Sequence, residues 1–290
     1  MPLLLFFRRQ KLRMKNILIP TDFSENSWNA IEYALRFFSK SSCNFYLLHV
    51  SSIDDVTGFE KPRKLSNGVT PEVIIKPSKK LLQETITRIN KSYLNGKHRF
   101  FTLTDNSYFI NSIRKHVEEK RIDVIVMGTK GASDLAKLAI GSNTGDVITK
   151  VKCTTLIVPA NAKFKVPKEI VFPTDFSIFY PTETLQPITD IIELHKSAVS
   201  VLHVNKGTEI SDDQQKNIEY LDDYFSNREH SFHFLTNKHL EDAVQKFVDS
   251  QGIDLIAMLA KNLNYFQKIL FHPTVKELNY YKNIPFLVLH

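Results

Sequence analysis

Cysteine is nearly missing: the 290 residues include only Cys43 and Cys153, far apart in the chain. That excludes a disulfide framework and a cysteine-based zinc site, and both are expected to be reduced structural thiols. No apolar run approaches the roughly 20 residues that a membrane-spanning helix needs. The opening Pro2–Phe7 stretch is too short for a signal-peptide core and has its charges on the wrong side, so the chain reads as cytoplasmic. With 9 glycines, 12 prolines, 42% hydrophobic and 24% charged residues, collagen-like, low-complexity and disordered readings fall away. Also missing are a Gly-x-Ser-x-Gly elbow, a P-loop Gly-Lys-Ser/Thr, a His-Glu-x-x-His pair and the dinucleotide glycine fingerprint. Nothing resembles a tuned general base.

The net charge of +7 is unevenly spread. Residues 1–160 hold 25 Lys+Arg against 14 Asp+Glu (+11), and residues 161–290 hold 13 against 17 (−4). Five basic residues, Arg8, Arg9, Lys11, Arg13 and Lys15, precede the first strand pattern, so much of the basicity belongs to an N-terminal extension, residues 1–14. The basic residues are not interleaved with aromatics and no DNA- or RNA-binding motif occurs, which argues against a nucleic-acid partner.

The chain repeats itself. Ile17-Leu-Ile-Pro-Thr-Asp-Phe-Ser24 returns as Ile170-Val-Phe-Pro-Thr-Asp-Phe-Ser177, and Leu47-Leu-His-Val50 as Val201-Leu-His-Val204. Ile122-Asp-Val-Ile-Val-Met127 returns as Ile253-Asp-Leu-Ile-Ala-Met258, and Thr155–Val158 as Phe286–Leu289. The offset drops from 153–154 to 131 between the second and third matches, which assigns an insertion to repeat one, expected as a loop from Ser51 to about Lys79. Short β-branched runs (16–20, 45–50, 99–104, 123–128, 154–159) alternate with helical spacing, the pattern of a parallel sheet buried on both faces. Helices are expected at 81–94, 108–119 and 142–150, then at 179–195, 212–228, 240–250 and 274–281, with Ser24 capping the first helix of the chain. Pro187 is expected to kink or delay its helix. The domains are then 15–160 and 168–290, joined by a linker at 161–167. Their apolar final strands, 154–159 and 284–290, are expected to pair, since a bare hydrophobic edge invites aggregation.

Each repeat ends its first strand in Pro-Thr-Asp-Phe-Ser, which sets Asp22 and Asp175 at the carboxyl edge of a parallel sheet, where such folds take ligands. An aspartate there has a second reading, as a helix cap or turn residue. The fourth strand of repeat one runs into Gly128-Thr-Lys-Gly131, nine further residues and Gly141-Ser-Asn-Thr144. A glycine at a strand end lets a ribose approach, the second permits a turn, and a third before Ser142 at a helix start offers free N–H groups and the positive dipole end to phosphate. A side chain at position 141 is expected to fill phosphate space and to oppose the local backbone torsion.

With these motifs the sequence resembles the universal stress protein family, as a tandem two-domain member, from Lys15 to His290. The resemblance implies an adenine nucleotide alpha hydrolase-like α/β fold: two five-stranded parallel sheets, strand order 3-2-1-4-5, packed as a pseudo-dimer. It implies an ATP-binding branch, with ATP, ADP or AMP as ligand and Mg²⁺ accompanying the phosphates. By position, Pro20, Thr21, Asp22 and Val50 would flank adenine and ribose. Met127 and Gly128 would line the ribose, and Gly131, Gly141, Ser142 and Asn143, with Lys130 and Thr144, would hold the phosphates. Asn143 departs from the apolar residue usual there but keeps its N–H.

Repeat two puts Leu259, Asn262, His272 and Pro273 where repeat one has Gly128, Gly131, Gly141 and Ser142. Leu259 is expected to project into the ribose space and Pro273 removes a donor, so this repeat is not expected to bind nucleotide. His49 and His203 read as packed strand residues. His230 and His233, three apart on a strand, face opposite ways and do not read as a metal pair. The function expected is a nucleotide-binding regulatory or stress-response module, with a homodimer and an unidentified protein partner left open. The alternative is a slow ATP hydrolase or a nucleotidyl- or phosphoryl-transfer enzyme. A dedicated hydrolase should show a water-orienting residue or several metal carboxylates, and only Asp22, Asp134 and Asp146 are near.

Overall fold

The computed structural model describes residues 14–51, 71–129, 141–205, 207, 209–237, 239–261 and 283–290, with the backbone alone at 71–76 and 241. The first half contains β1 (Lys15–Pro20), α1 (Glu25–Phe37), β2 (Cys43–Ser51), α2 (Pro71–Ser92), β3 (His98–Asn106), α3 (Phe109–Glu119), β4 (Val124–Gly128), α4 (Ser142–Lys150) and β5 (Thr155–Val158). The second contains β6 (Glu169–Pro173), α5 (Thr182–His195), β7 (Ala198–Asn205), α6 (Asp212–Phe225), β8 (His230–Thr236), α7 (Leu240–Gln251), β9 (Leu255–Leu259) and β10 (Phe286–Leu289). None of the helices is long and apolar enough to cross a membrane, among the described residues.

The strands form one ten-stranded sheet ordered β3-β2-β1-β4-β5-β10-β9-β6-β7-β8. Each half is parallel in the order 3-2-1-4-5. The halves join where β5 and β10 pair antiparallel, Phe286 opposite Ile157, Leu287 opposite Leu156 and Val288 opposite Thr155. Thr155–Val158 and Phe286–Leu289 are buried throughout, so this pairing satisfies the peptide groups of two edges that water could not reach.

Side-chain alternation divides the strands between two faces. On one face a single cluster runs through both halves, with Ile17, Ile19, Val126, Leu156, Phe172 and Leu287 beneath α1 and α5. On the other face there are two clusters, the second of which takes in Ile148 and Ile157 of the first half. Leu18, Leu48, Ile125 and Met127 meet Ile113 of α3 and Val147 of α4. Val171, Leu202, Ile256 and Met258 meet Leu240, Val244 and Phe247 of α7. The repeated Ile-Asp dipeptide clamps the amino edge of each half: Asp123 Oδ2 accepts the Asn16 N–H at 2.8 Å, and Asp254 Oδ2 accepts those of Lys168 and Glu169 at 2.8 and 3.2 Å.

Three helices differ from expectation, α6 by ending at Phe225 rather than 228. α2 starts at Pro71, so the last part of the expected loop is helical, and Pro77 lies inside it. Proline suits a first helical position, and burial of Leu82 and Ile89 holds the helix on the sheet. α5 starts at Thr182 rather than 179 and continues through Pro187. Pro187 deprives the Glu183 carbonyl of its helical donor, and Glu183 is exposed. The expected helix at 274–281 lies outside the described residues.

Candidate functional site

The strand order reverses between β1 and β4, and the carboxyl ends of β1, β2 and β4 together with the start of α4 surround that point. Pro20 is buried at the end of β1. The buried Thr21 donates its N–H to the Leu48 carbonyl at 2.8 Å, while its Oγ1 accepts the Phe23 N–H at 3.1 Å and meets Ser27 Oγ at 3.0 Å. Asp22 is exposed. Its Oδ1 accepts both the N–H and the hydroxyl of Ser24, at 3.0 and 2.6 Å. Ser24 Oγ in turn accepts the Ser27 N–H and caps α1.

This turn recurs in the second half. Asp175 Oδ1 accepts from Ser177 N and Oγ at 3.0 and 2.7 Å, and Thr174 Oγ1 accepts the Phe176 N–H at 2.9 Å. Both turns hold a phenylalanine in the left-handed region, Phe23 at φ 65° and Phe176 at φ 56°, a conformation that costs a bulky residue about 1 kcal/mol. That cost is offset by packing on the histidine of the adjacent strand, Phe23 tilted against His49 at 4.6 Å and Phe176 stacked on His203 at 5.1 Å. Each histidine Nδ1 meets the neighbouring threonine carbonyl, at 2.9 and 3.0 Å. His49 and His203 are therefore part of the turn's scaffold.

At β4, Met127 is buried and Gly128 half-buried. Two hydrogen bonds fasten the start of α4 to this strand end: Gly141 N–H to the Thr129 carbonyl at 2.5 Å, and Thr144 Oγ1 to the Gly128 carbonyl at 2.8 Å. The first intrahelical bond runs from Gly145 N–H to the Gly141 carbonyl at 3.0 Å. Gly141 has no side chain to cap the helix, which leaves the N–H groups of Ser142, Asn143 and Thr144 with no helical acceptor. Ser142 and Asn143 are exposed and Thr144 is buried. Gly141 sits at φ −69°, ψ 161°, ordinary extended backbone, so the expectation that a side chain there opposes the torsion is corrected. What remains of that argument is space. Lys130, Gly131 and Asp134 lie outside the described residues.

Val50 is half-buried and packs with Met127 in the cluster beneath the edge. Its register partner is Asp105, which the sequence analysis did not single out. Asp105 Oδ2 accepts the Ser112 hydroxyl at 2.7 Å and pairs with His116 Nε2 at 2.9 Å, while Oδ1 meets Lys115 Nζ at 3.2 Å. Burial pushes this carboxyl up, yet the Ser112 and Lys115 hydrogen bonds and the charges of His116 and Lys115 outweigh it and hold Asp105 below its usual range. Asp146 pairs with Lys150 of its own helix at 2.8 Å. Among the described residues, no three His, Cys, Asp or Glu side chains gather as a metal site.

In the second half, Leu259 is corrected. It shares a face with Leu255 and Ala257 and packs into the core common to both halves, so its side chain does not occupy the space expected for a ribose. Here α6 closes on the turn, with Gln214 Nε2 donating to the Asp175 carbonyl at 2.6 Å and Asn217 Nδ2 to that of Phe176 at 2.8 Å. His230 meets Asp222 of α6 at 3.0 Å and His233 lies against Phe247 of α7 at 4.8 Å, on opposite faces of the sheet. Asn262, His272 and Pro273 lie outside the described residues.

A doubled α/β sheet with a cradle at its strand-order reversal defines the class of fold. The chain belongs to the universal stress protein family, whose profile matches residues 14–159. Two universal stress proteins of Methanocaldococcus jannaschii are each 28% identical to it. One aligns over 151 residues, 50% of this chain and 81% of the relative, and the other over 163 residues, 50% and 94%. A universal stress protein from Archaeoglobus fulgidus, known from its crystal structure, covers 95% of this chain and 98% of its own at a TM-score of 0.66 and 17% identity. That likeness extends the shared fold across both halves.

Proposed function

We propose that this universal stress protein holds one ATP-type nucleotide in its first half, at the carboxyl edge between β1 and β4, and acts as a cytoplasmic regulatory module in a stress response. The observation that carries the reading is the start of α4. Three N–H groups without helical acceptors open a helix that is fastened to the end of β4 and capped by a glycine. Such a helix start matches the charge and acceptor geometry of phosphate. The residues fit the ligand as a set. Ser142, Asn143 and Thr144 would donate to phosphate, Gly141 would leave it room, and Val50 and Met127 would floor the nucleoside side. Lys130 and Gly131, outside the described residues, complete the proposed set.

Asp22 is an exposed carboxylate whose Oδ1 already serves the turn. It supports a positioning contact to the nucleoside while the Asx turn keeps its orientation. Mg²⁺, which keeps most of its waters and rides on phosphate oxygens, would arrive with the ligand and neutralise phosphate charge. The second half lacks the corresponding glycines in sequence.

The test is to denature the purified full-length chain, identify any released nucleotide by mass and absorbance, and titrate the emptied protein with ATP and Mg²⁺ by calorimetry. One site per chain is expected. Two equivalent sites, or none, would reject the reading, and sustained phosphate release in the same samples would favour the hydrolase alternative.

A further inference from the structure

Every strand of the sheet has a neighbour on each side except β3 and β8, which end it. Just before β3 the Lys97 carbonyl accepts the Cys43 N–H at 3.0 Å. Peptide groups alternate along a strand, so Arg99, Phe101, Leu103 and Asp105 turn theirs toward β2, while Phe100, Thr102 and Thr104 turn theirs outward. Among the described residues no strand pairs with that outer edge. The side chains alternate too. Leu103 packs on the α3 side of the sheet and Phe100 on the α1 side. Arg99 and Asp105, at odd positions, share the α3 side with Phe101, which is 42% exposed and stacked on Tyr46 at 5.0 Å.

We infer that β3 is a docking edge for a second copy of this chain, two β3 strands pairing antiparallel about a twofold axis at Thr102. That register sets Thr102 opposite Thr102 and Phe100 opposite Thr104, the residues whose peptide groups point outward, as hydrogen-bonded pairs. It sets Phe101 opposite Leu103 and Arg99 opposite Asp105 as non-hydrogen-bonded pairs, in which side chains approach most closely. The strand is therefore complementary to itself in backbone, in apolar contact and in charge. Asp105 suits the role because Ser112, Lys115 and His116 already fix its carboxylate. Moving the axis to Phe101 or Leu103 sets Arg99 against Leu103 or Ser107 and loses that pair.

β8 offers no equivalent. Its seven residues, His-Ser-Phe-His-Phe-Leu-Thr, include no Lys, Arg, Asp or Glu. Pairing β3 with β8 of another copy would strand Arg99 and Asp105 and, being head to tail, would build a ring or an open filament rather than a closed pair. A twofold β3 contact closes after two chains.

Sedimentation velocity of the full chain over a concentration series tests this. A monomer–dimer equilibrium is expected. Arg99→Asp opposes two carboxylates at both symmetric positions and should raise the dissociation constant by about tenfold or more. Thr102→Pro deletes an outward N–H at an edge position, where proline is tolerated, and should abolish the dimer. Circular dichroism checks that each variant keeps the parent fold; should Thr102→Pro unfold, Arg99→Asp, at an exposed side chain, decides alone. A monomer at every concentration, a dimer indifferent to the substitutions, or open-ended assemblies would overturn the inference.

Discussion

His195 should make the seam between the two halves sensitive to acid. It ends α5 at 3% exposure, its ring edge-on to Phe37 of α1 at 4.7 Å, and among the described residues neither ring nitrogen makes a hydrogen bond of regular geometry. Burial first, then the positive charges of Lys40 and Lys168, pushes its pKa down from 6.5 to about 4, with the Phe37 carbonyl acting weakly the other way. The sign follows from linkage. The folded protein keeps His195 neutral while the unfolded chain binds a proton below pH 6.5, so stability is fully present above that pH, falls from 6.5 to about 4, and is level below. A pKa lowered from 6.5 to about 4 corresponds to about 3 kcal/mol in full and about 2 kcal/mol between pH 7.5 and 5. The measurement is the unfolding free energy by urea at pH 7.5 and 5 for the parent and for His195→Leu. The loss on acidification should be smaller in the variant by about 2 kcal/mol. His98 and His290, also lowered by burial, are common to both proteins and cancel in the difference. Equal losses would show that His195 takes up its proton in the folded state as readily as in water, and the reasoning would fail.

Gly141→Val should leave the fold intact, since φ −69° and ψ 161° suit any residue, and should lower ATP affinity in calorimetry by tenfold or more, roughly 1.4 kcal/mol, by filling phosphate space. Unchanged affinity would move the phosphate site elsewhere. Asp254→Ala should cost about 2–3 kcal/mol in urea unfolding, because Asp254, 5% exposed, accepts two backbone N–H groups and pairs with Lys165 at 2.7 Å. A loss below about 0.5 kcal/mol would show that water replaces it. Burial pushes the thiols of Cys43 and Cys153 up to about 12, so neither should react with a thiol reagent at pH 8 until urea unfolds the chain. Rapid labelling of the native protein would contradict the burial.

Much of the fold was legible in the sequence because its signals are local. Ile17–Ile19 and Ile170–Phe172 announce strands buried on both faces, and Ser24 and Ser142 mark helix starts that the structure keeps. The repeat offsets reveal duplication, and the apolar runs at 155–158 and 286–289 imply a shared edge. The Pro-Thr-Asp-Phe-Ser turn was legible as a turn, though two readings of its aspartate stayed open. Residues distant in the chain decided the rest. The stretch up to about Lys79 read as a loop until packing on β3 makes a helix of 71–92. Leu259 looked like an obstruction at the sheet edge, but strand alternation sends it into a core built from both halves. The Asp105, Ser112 and His116 cluster has no sequence signature, since it forms only when α3 folds back over the end of β3. Arg99 and Asp105 become complementary only once β3 is known to be an outer strand with alternate peptide groups unpaired. Local periodicity and turn chemistry chose the elements; burial and hydrogen-bond satisfaction between remote segments chose their ends, faces and neighbours.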